Sequence, residues 1–293
     1  MNIIKHRKFY FIFSGFLFAV SLASLILWGL KLGIDFTGGS LLEVELRNQP
    51  FSSQEIQDKL KPLDLGEINI QPTGERGAIL RFKNVDELTH QSVLSSLGDA
   101  EEKRFESVGP MVGEELKSRA IWAIGLSLIM IVTYIAWAFR KVSRPVPSWQ
   151  YGAAALVALF HDVIIPAGVF SLLGHFWGVE IGLLFVTALL TVLGFSVHDT
   201  IVVFDRIREN LHRGLGGDFE EKVNASVNQT IVRSINTSFT VLLTLLAIYF
   251  LGGVTVKLFA LVLIIGVAFG TYSSIFIASP LLVVLERWGR KKK

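Results

Sequence analysis

The sequence predicts a helical membrane bundle of six spans, with a small α+β domain between the first two. Three observations predict it. Hydrophobic residues make up 51% of the chain and charged residues 18%, against about 25% charged in ordinary soluble domains. Six stretches are apolar enough to cross a bilayer: 9–30, 120–139, 152–173, 181–204, 235–251 and 258–285; a span takes roughly 20 residues. The one long interval between spans patterns as strands and helices. The expected divisions are 1–32 (tail and first span), 33–118 (outer domain) and 119–293 (five spans, connections and a basic tail).

The first span follows Lys5, Arg7 and Lys8, as a signal peptide would. Its apolar run exceeds the roughly 7–15 residues of a signal h-region, and no small-x-small site closes it. It reads as an uncleaved span. Lys and Arg collect in the N-terminal tail, in 140–151 (Arg140, Lys141, Arg144), in 205–232 and in the tail from Arg287 to Lys293, whereas 174–180 and 252–257 hold only Lys257. The positive-inside rule then places both termini in the cytoplasm. The chain has no cysteine, so neither disulfides nor thiolate metal sites are available to it.

The elements of 33–118 follow in order. Gly38-Gly39 is a turn between span and strand; no GxxxxGK[ST] accompanies it, so a phosphate loop is set aside. The patterning predicts a strand at 41–47 and a helix at 52–63, opened by the capping-box residues Ser52 and Glu55. A strand at 67–71 follows, with a turn at Pro72-Thr73-Gly74, then a strand at 77–82. A helix at 85–97 buries Val85, Leu88, Val93, Leu94 and Leu97, and a short strand at 104–108 ends the domain. This β-α-β-β-α-β order is the ferredoxin-like pattern. Acidic residues outnumber basic ones by 16 to 9 across 33–118, which argues against a nucleic-acid surface.

Trp122 and Trp137 mark the two ends of the second span, as interfacial anchors do. The connection 140–150 contains Pro145 and Pro147. The third span carries His161-Asp162, and the fourth carries Ser196, His198 and Asp199. The segment 205–232 reads as an amphipathic helix broken at Gly214-Leu215-Gly216-Gly217. The fifth span opens with Arg233 and carries Asn236, Thr237, Thr240 and Thr244; positions 233, 237, 240 and 244 share one helix face. Such a stripe should face other helices or water. Gly266 and Gly270 form GxxxG, a close-packing signal.

A carboxylate at the centre of a span costs about 2.5–3.5 kcal/mol on insertion scales, so Asp199 calls for a reason. A serine-protease relay fails within one helix, because His198 lies two residues from Ser196 and faces away; a histidine from another span would be needed. A metal site from the two His-Asp pairs is disfavoured, since neighbours on a helix point about 100° apart and no HExxH occurs. The remaining reading is a proton carrier, Asp199, balanced between desolvation and the charge of Arg233. The structural alternative makes Arg233 an interfacial anchor. His161, Asp162 and His198 stand open between packed and functional roles. No catalytic residue, and hence no enzyme, is expected.

Four stretches resemble the SecF family, subunits of the SecDF accessory complex of bacterial Sec protein export. They are GIDFTGG at 33–39, ALFHD at 158–162, GFSVHDTIVVFDRIREN at 194–210 and RSINTS at 233–238. The resemblance covers essentially the whole chain. It implies membership in the RND superfamily, a multi-pass place in the bacterial cytoplasmic membrane, and a SecD partner. That partner would supply six more spans, a larger outer domain and a further intramembrane carboxylate. It also implies work with the SecYEG translocon on unfolded polypeptides in transit, driven by protons, or by sodium in some relatives, with no other cofactor. By residue, it makes Asp199 the proton-transport aspartate and Arg233 its paired arginine. Two rival functions remain: an RND-type exporter of small molecules or lipids, and a non-transporting assembly subunit.

Overall fold

The computed structural model describes residues 2–46, 52–73, 76–98, 100–140, 146–214 and 217–291. Arg47, Gly74, Lys141, Arg144, Pro145, Leu215, Gly216, Lys292 and Lys293, which figure in the expectations above, lie outside them. The chain forms two compact units: Met1–Lys31 with Trp122–Lys293, and Leu32–Ile121.

Helix α1 (Arg7–Trp28) is the first span, and a four-residue helix α2 (Ile34–Thr37) follows it. The sequence reading did not foresee α2. Gly38 (φ 72°) and Gly39 (φ 125°) then turn the chain. A Cβ on Gly38 would sit 2.6 Å from the Pro110 Cα, so both the backbone conformation and the space demand glycine.

The second unit continues with β1 (Gly39–Leu46), α3 (Ser53–Leu60), β2 (Asn69–Thr73), β3 (Gly77–Phe82), α4 (Glu87–Leu97) and β4 (Ala100–Val108). The sheet order is β2-β3-β1-β4, with every neighbouring pair antiparallel. Leu42, Val44, Leu80 and Val93 are among its fully buried core residues. Three expectations need correction. β2 includes Pro72, read as a turn; at the sheet edge its missing N–H costs no ladder bond. β4 begins four residues earlier than expected, at Ala100. Its charged residues suit an edge strand, with Lys103 bonded to Glu45 (3.1 Å) and Glu101 (2.9 Å). Leu88, assigned to the core face of α4, is 79% exposed, and His90 is buried instead.

Among the described residues six helices are long and apolar enough to cross a membrane: Ile4–Trp28, Pro110–Ala138, Ser148–Trp177, Leu183–His212, Phe219–Leu251 and Val256–Gly289. Beyond α1 they comprise α5 (Pro110–Ala138), α6 (Ser148–Trp177), α7 (Leu183–His212) and α8 (Phe219–Leu251). The sixth is α9 (Val254–Ser273), continued through a π-helical turn (Ser274–Ala278) into α10 (Ser279–Lys291). The amphipathic stretch expected at 205–232 is the continuous extension of α7 and α8. Asp218 starts α8 by accepting the Glu221 N–H at 2.8 Å. Glu220 on α8 then ties Arg7 of α1 (2.7 Å) to Arg287 of α10.

Within this unit α6, α7 and α9 are the buried helices, and α1, α5 and α8 turn most of their surface outward. Two close approaches hold the buried ones. α1 meets α6 at Gly168, whose carbonyl accepts the Ser24 hydroxyl at 3.2 Å, while Ser171 donates to the Ser24 carbonyl at 2.9 Å. α7 meets α9 at Gly266 and Gly270, facing Val192 and Ser196. The GxxxG signal is therefore a packing device.

Gly168→Ala should destabilise the bundle by about 1–3 kcal/mol, the usual overpacking range. Its Cβ would fall 2.3 Å from the Ser21 Cβ and 2.5 Å from the Ser21 Cα. Gly125→Ala, with nothing within 4 Å, is the control, and thermal unfolding in detergent is the readout. In the sheet unit, Asp86 caps α4 by accepting the Thr89 N–H at 3.0 Å. The Thr89 side-chain and backbone bonds hold its carboxyl below the ordinary carboxylate range. The cap's contribution is thus complete above the unfolded value and lost as pH falls through the lower folded one. Asp86→Asn should abolish that acid dependence yet keep the cap, and Asp86→Ala should speed amide exchange at Thr89.

Candidate functional site: a buried layer of two carboxylates

The apolar run of α6 is interrupted by His161-Asp162, and Asp162 has no exposed surface. Four residues on, Pro166 lies inside the same helix and withholds the N–H that would bond to the Asp162 carbonyl. The Asp162 side chain is surrounded by donors from three helices. His161 Nδ1 lies 2.9 Å from Oδ1, and the hydroxyls of Ser196 on α7 and Ser273 on α9 each donate to Oδ2 at 2.6 Å.

Asp199, three residues beyond Ser196 on α7, is 2% exposed. Its Oδ2 accepts the Thr271 hydroxyl of α9 at 3.0 Å, and Thr271 is also hydrogen-bonded to Ser238 of α8. At the same α7–α9 contact, Thr200 and Ser274 share a hydrogen bond of 2.7 Å, and the Ser274 hydroxyl donates to the Ser196 carbonyl at 3.4 Å. α9 therefore serves both acids, through Thr271, Ser273 and Ser274.

The π turn beginning at Ser274 is part of this arrangement. Pro280 supplies no N–H for the normal ladder, and the Ser279 hydroxyl bonds five residues back, to the Ser274 carbonyl at 2.9 Å. A wider turn lets the adjacent Ser273 and Ser274 both point inward, both fully buried.

The expected residues divide into two sets. Asp162, His161, Ser196 and Asp199 meet in the buried layer. His198, Arg233, Asn236 and Thr237 point out of the chain. Among the described residues no ion pair joins Asp199 and Arg233, the pair expected from the sequence. The inward face of α8 is set by Ser234 and Ser238, both buried. Arg233, one residue earlier, is rotated about 100° away. The polar stripe of α8 also faces outward, and its hydroxyls bond their own helix. Thr237 donates to the Arg233 carbonyl (3.0 Å), Thr240 to that of Thr237 (2.8 Å) and Thr244 to that of Thr240 (3.2 Å).

Ser196, Asp162 and His161 meet in the order serine–carboxylate–imidazole. Nucleophilic activation needs the imidazole in the middle, so this contact does not prime Ser196 for attack. Among the described residues no three His, Asp or Glu side chains converge as metal ligands. Sequence reasoning passed over Thr271, Ser273 and Ser274. Their signal was present: hydroxyl residues follow Gly270 inside an apolar run, and only the glycines were weighed.

The chain matches the family described as "Protein export membrane protein SecD/SecF, C-terminal" over residues 89–288, and the "SecD/SecF GG Motif" over 29–50. It is 46% identical to the protein translocase subunit SecF of Thermobaculum terrenum over 302 aligned residues, covering 98% of this chain and 94% of the relative. The chain belongs to the SecF family. The SecF of Anaerolinea thermophila is 39% identical, with 98% of this chain and 94% of the relative covered. The crystal structure of SecDF, a translocon-associated membrane protein from Thermus thermophilus, matches with TM-score 0.83 and 32% identity. The match covers 99% of this chain and 39% of that one, so the chain spans well under half the length of the solved SecDF.

Ser196→Ala and Thr271→Val each leave a buried carboxylate short of one donor. Each should lower stability by about 1–3 kcal/mol. Thr240→Val, on the outward face, should stay within about 0.5 kcal/mol. Thermal unfolding of the purified chain in lipid separates the two outcomes.

Proposed function

We propose that the chain is the SecF-type subunit of a proton-driven Sec accessory complex, with both termini in the cytoplasm and the sheet unit outside. The observation that carries this is Asp199: a carboxylate 2% exposed within a spanning helix and held by the Thr271 hydroxyl. A group held by hydroxyls can gain or lose a proton without breaking an ion pair. The change of charge then alters the attraction between α7 and α9, a local event of the kind that moves packed helices. The Lys and Arg tally supports the orientation. The sheet order β2-β3-β1-β4, all antiparallel, with helices after β1 and β3, supports a ferredoxin-like reading of the outer unit.

Arg233 takes a different part from the one its position in the sequence suggested. It faces outward from a spanning helix, where an uncovered charge is costly. We assign it to a carboxylate on a SecD-type partner, with the outward stripe of α8 along the same contact. The coupling ion is the proton; sodium is the alternative to test. Translocating polypeptide and SecYEG are the remaining partners of this reading. One charge crossing 100 mV supplies about 2.3 kcal/mol, so a larger pulling step needs several protons or a concentration gradient.

The test is gradient-dependent export into inverted vesicles containing the chain and its partner. Asp199→Asn and Arg233→Met should each abolish the gradient-dependent part at equal protein levels and leave ATP-driven export in place. Wild-type export by both variants, with loss only when the chain is deleted, would assign it an assembly role instead. Dependence on sodium at fixed pH would replace the proton.

A further inference from the structure

We propose that His161 and Asp162 form a second proton-holding site, separate from Asp199 and coupled to it through α9. The fully buried Asp162 has no Lys or Arg among its hydrogen-bond partners in the described residues; these are His161 Nδ1 at 2.9 Å and the hydroxyls of Ser196 and Ser273 at 2.6 Å. The imidazole is itself buried, 4% exposed, and its Nε2 has no hydrogen-bond partner among the described residues. One proton on this pair has two seats, the imidazole or the carboxyl, and either leaves the pair neutral overall. Removing it leaves a buried carboxylate facing only hydroxyl and imidazole dipoles, an arrangement a low-dielectric interior disfavours.

The surroundings contain few other titratable groups. On α9, the Tyr272 ring lies 6.2 Å from the imidazole with planes 26° apart. Its hydroxyl meets Ser14 of α1 at 3.1 Å and the Tyr10 carbonyl at 3.4 Å. On α7 the nearest acid along the helix is Asp199, with His198 beside it pointing outward. A metal cation is the poorer occupant: the site has one carboxylate, and its hydroxyls are already donating to it. The link to Asp199 is short. Ser273 bonds Asp162 and Thr271 bonds Asp199, two residues apart on α9. A proton arriving at either acid weakens one of the bonds that position the same helix.

The inference adds to the Asp199 reading and is tested apart from it, by infrared difference spectroscopy of the full chain in lipid vesicles titrated with acid. A protonated carboxyl is read from its C=O stretch and the downshift of that band in D2O. Asp162→Asn should remove one titrating band that Asp199→Asn leaves in place. Ser273→Ala, a small change least prone to disturb folding, withdraws a donor from the charged form. It should move the midpoint of that band upward by about one pH unit. His161→Gln should move it as well, since one seat of the proton is lost. An unchanged band in Asp162→Asn overturns the proposal. So does an unmoved midpoint in Ser273→Ala, or a midpoint that follows sodium when choline is exchanged for it. Failure of the Asp199 reading would instead show as normal export by Asp199→Asn, whatever the Asp162 band does.

Discussion

The close approach of α7 and α9 is the constraint on which the buried site depends. A Cβ on Gly266 would lie 2.1 Å from the Val192 Cγ2, and one on Gly270 would lie 3.1 Å from the Ser196 Cβ. With both side chains absent, short hydroxyl side chains on α9 can span the gap to α7 and α6. Serine and threonine oxygens reach only a few ångströms from the backbone, so Thr271, Ser273 and Ser274 can serve Asp199, Asp162 and Thr200 only at this separation. Glycine in the helix interior costs about 1 kcal/mol relative to alanine; here that cost permits a polar layer that an apolar contact would exclude.

That layer also explains why two acids can stand in one bundle. A buried carboxylate needs hydrogen bonds, a countercharge or a proton. Asp162 has three donors, one of them an imidazole, and Asp199 has a threonine whose own hydroxyl is further bonded to Ser238. Among the described residues no Lys or Arg pairs with either acid; Asp162 has the His161 imidazole beside it and Asp199 the Thr271 hydroxyl. Arg233 and His198, in the same region, are exposed. The bundle thus buries Asp162, Asp199 and the His161 imidazole and leaves Arg233 and His198 exposed.

Much of this was legible in particular residues. The six spans follow from apolar length, a local property that the fold preserves, although each helix runs past its apolar core because the backbone ladder continues into polar sequence. Ser52 was read correctly as a helix cap; its hydroxyl accepts from the Glu55 N–H. The strand boundaries were less legible: β2 runs through Pro72 and β4 through a run of charges, both allowed because they are edge strands. His198 was left open between a packed role in the bundle and a proton relay, and it is exposed. Arg233 was placed beside Asp199 as the charge that balances its desolvation, since antiparallel neighbouring spans let the two positions approach in depth. Depth leaves rotation open, and rotation turned it outward.

The sequence by itself determined the membrane class and the inserted α+β unit, because length, periodicity and residue type are written along the chain; its motifs carried the resemblance to the family, and its spans held Asp162 and Asp199. Only the tertiary structure decided which partners those acids have. Helix rotation, the Gly266–Gly270 approach and the π turn before Pro280 depend on how helices far apart in sequence pack together. A rotation of about 100°, one residue's worth, separates a buried Ser234 from an outward Arg233.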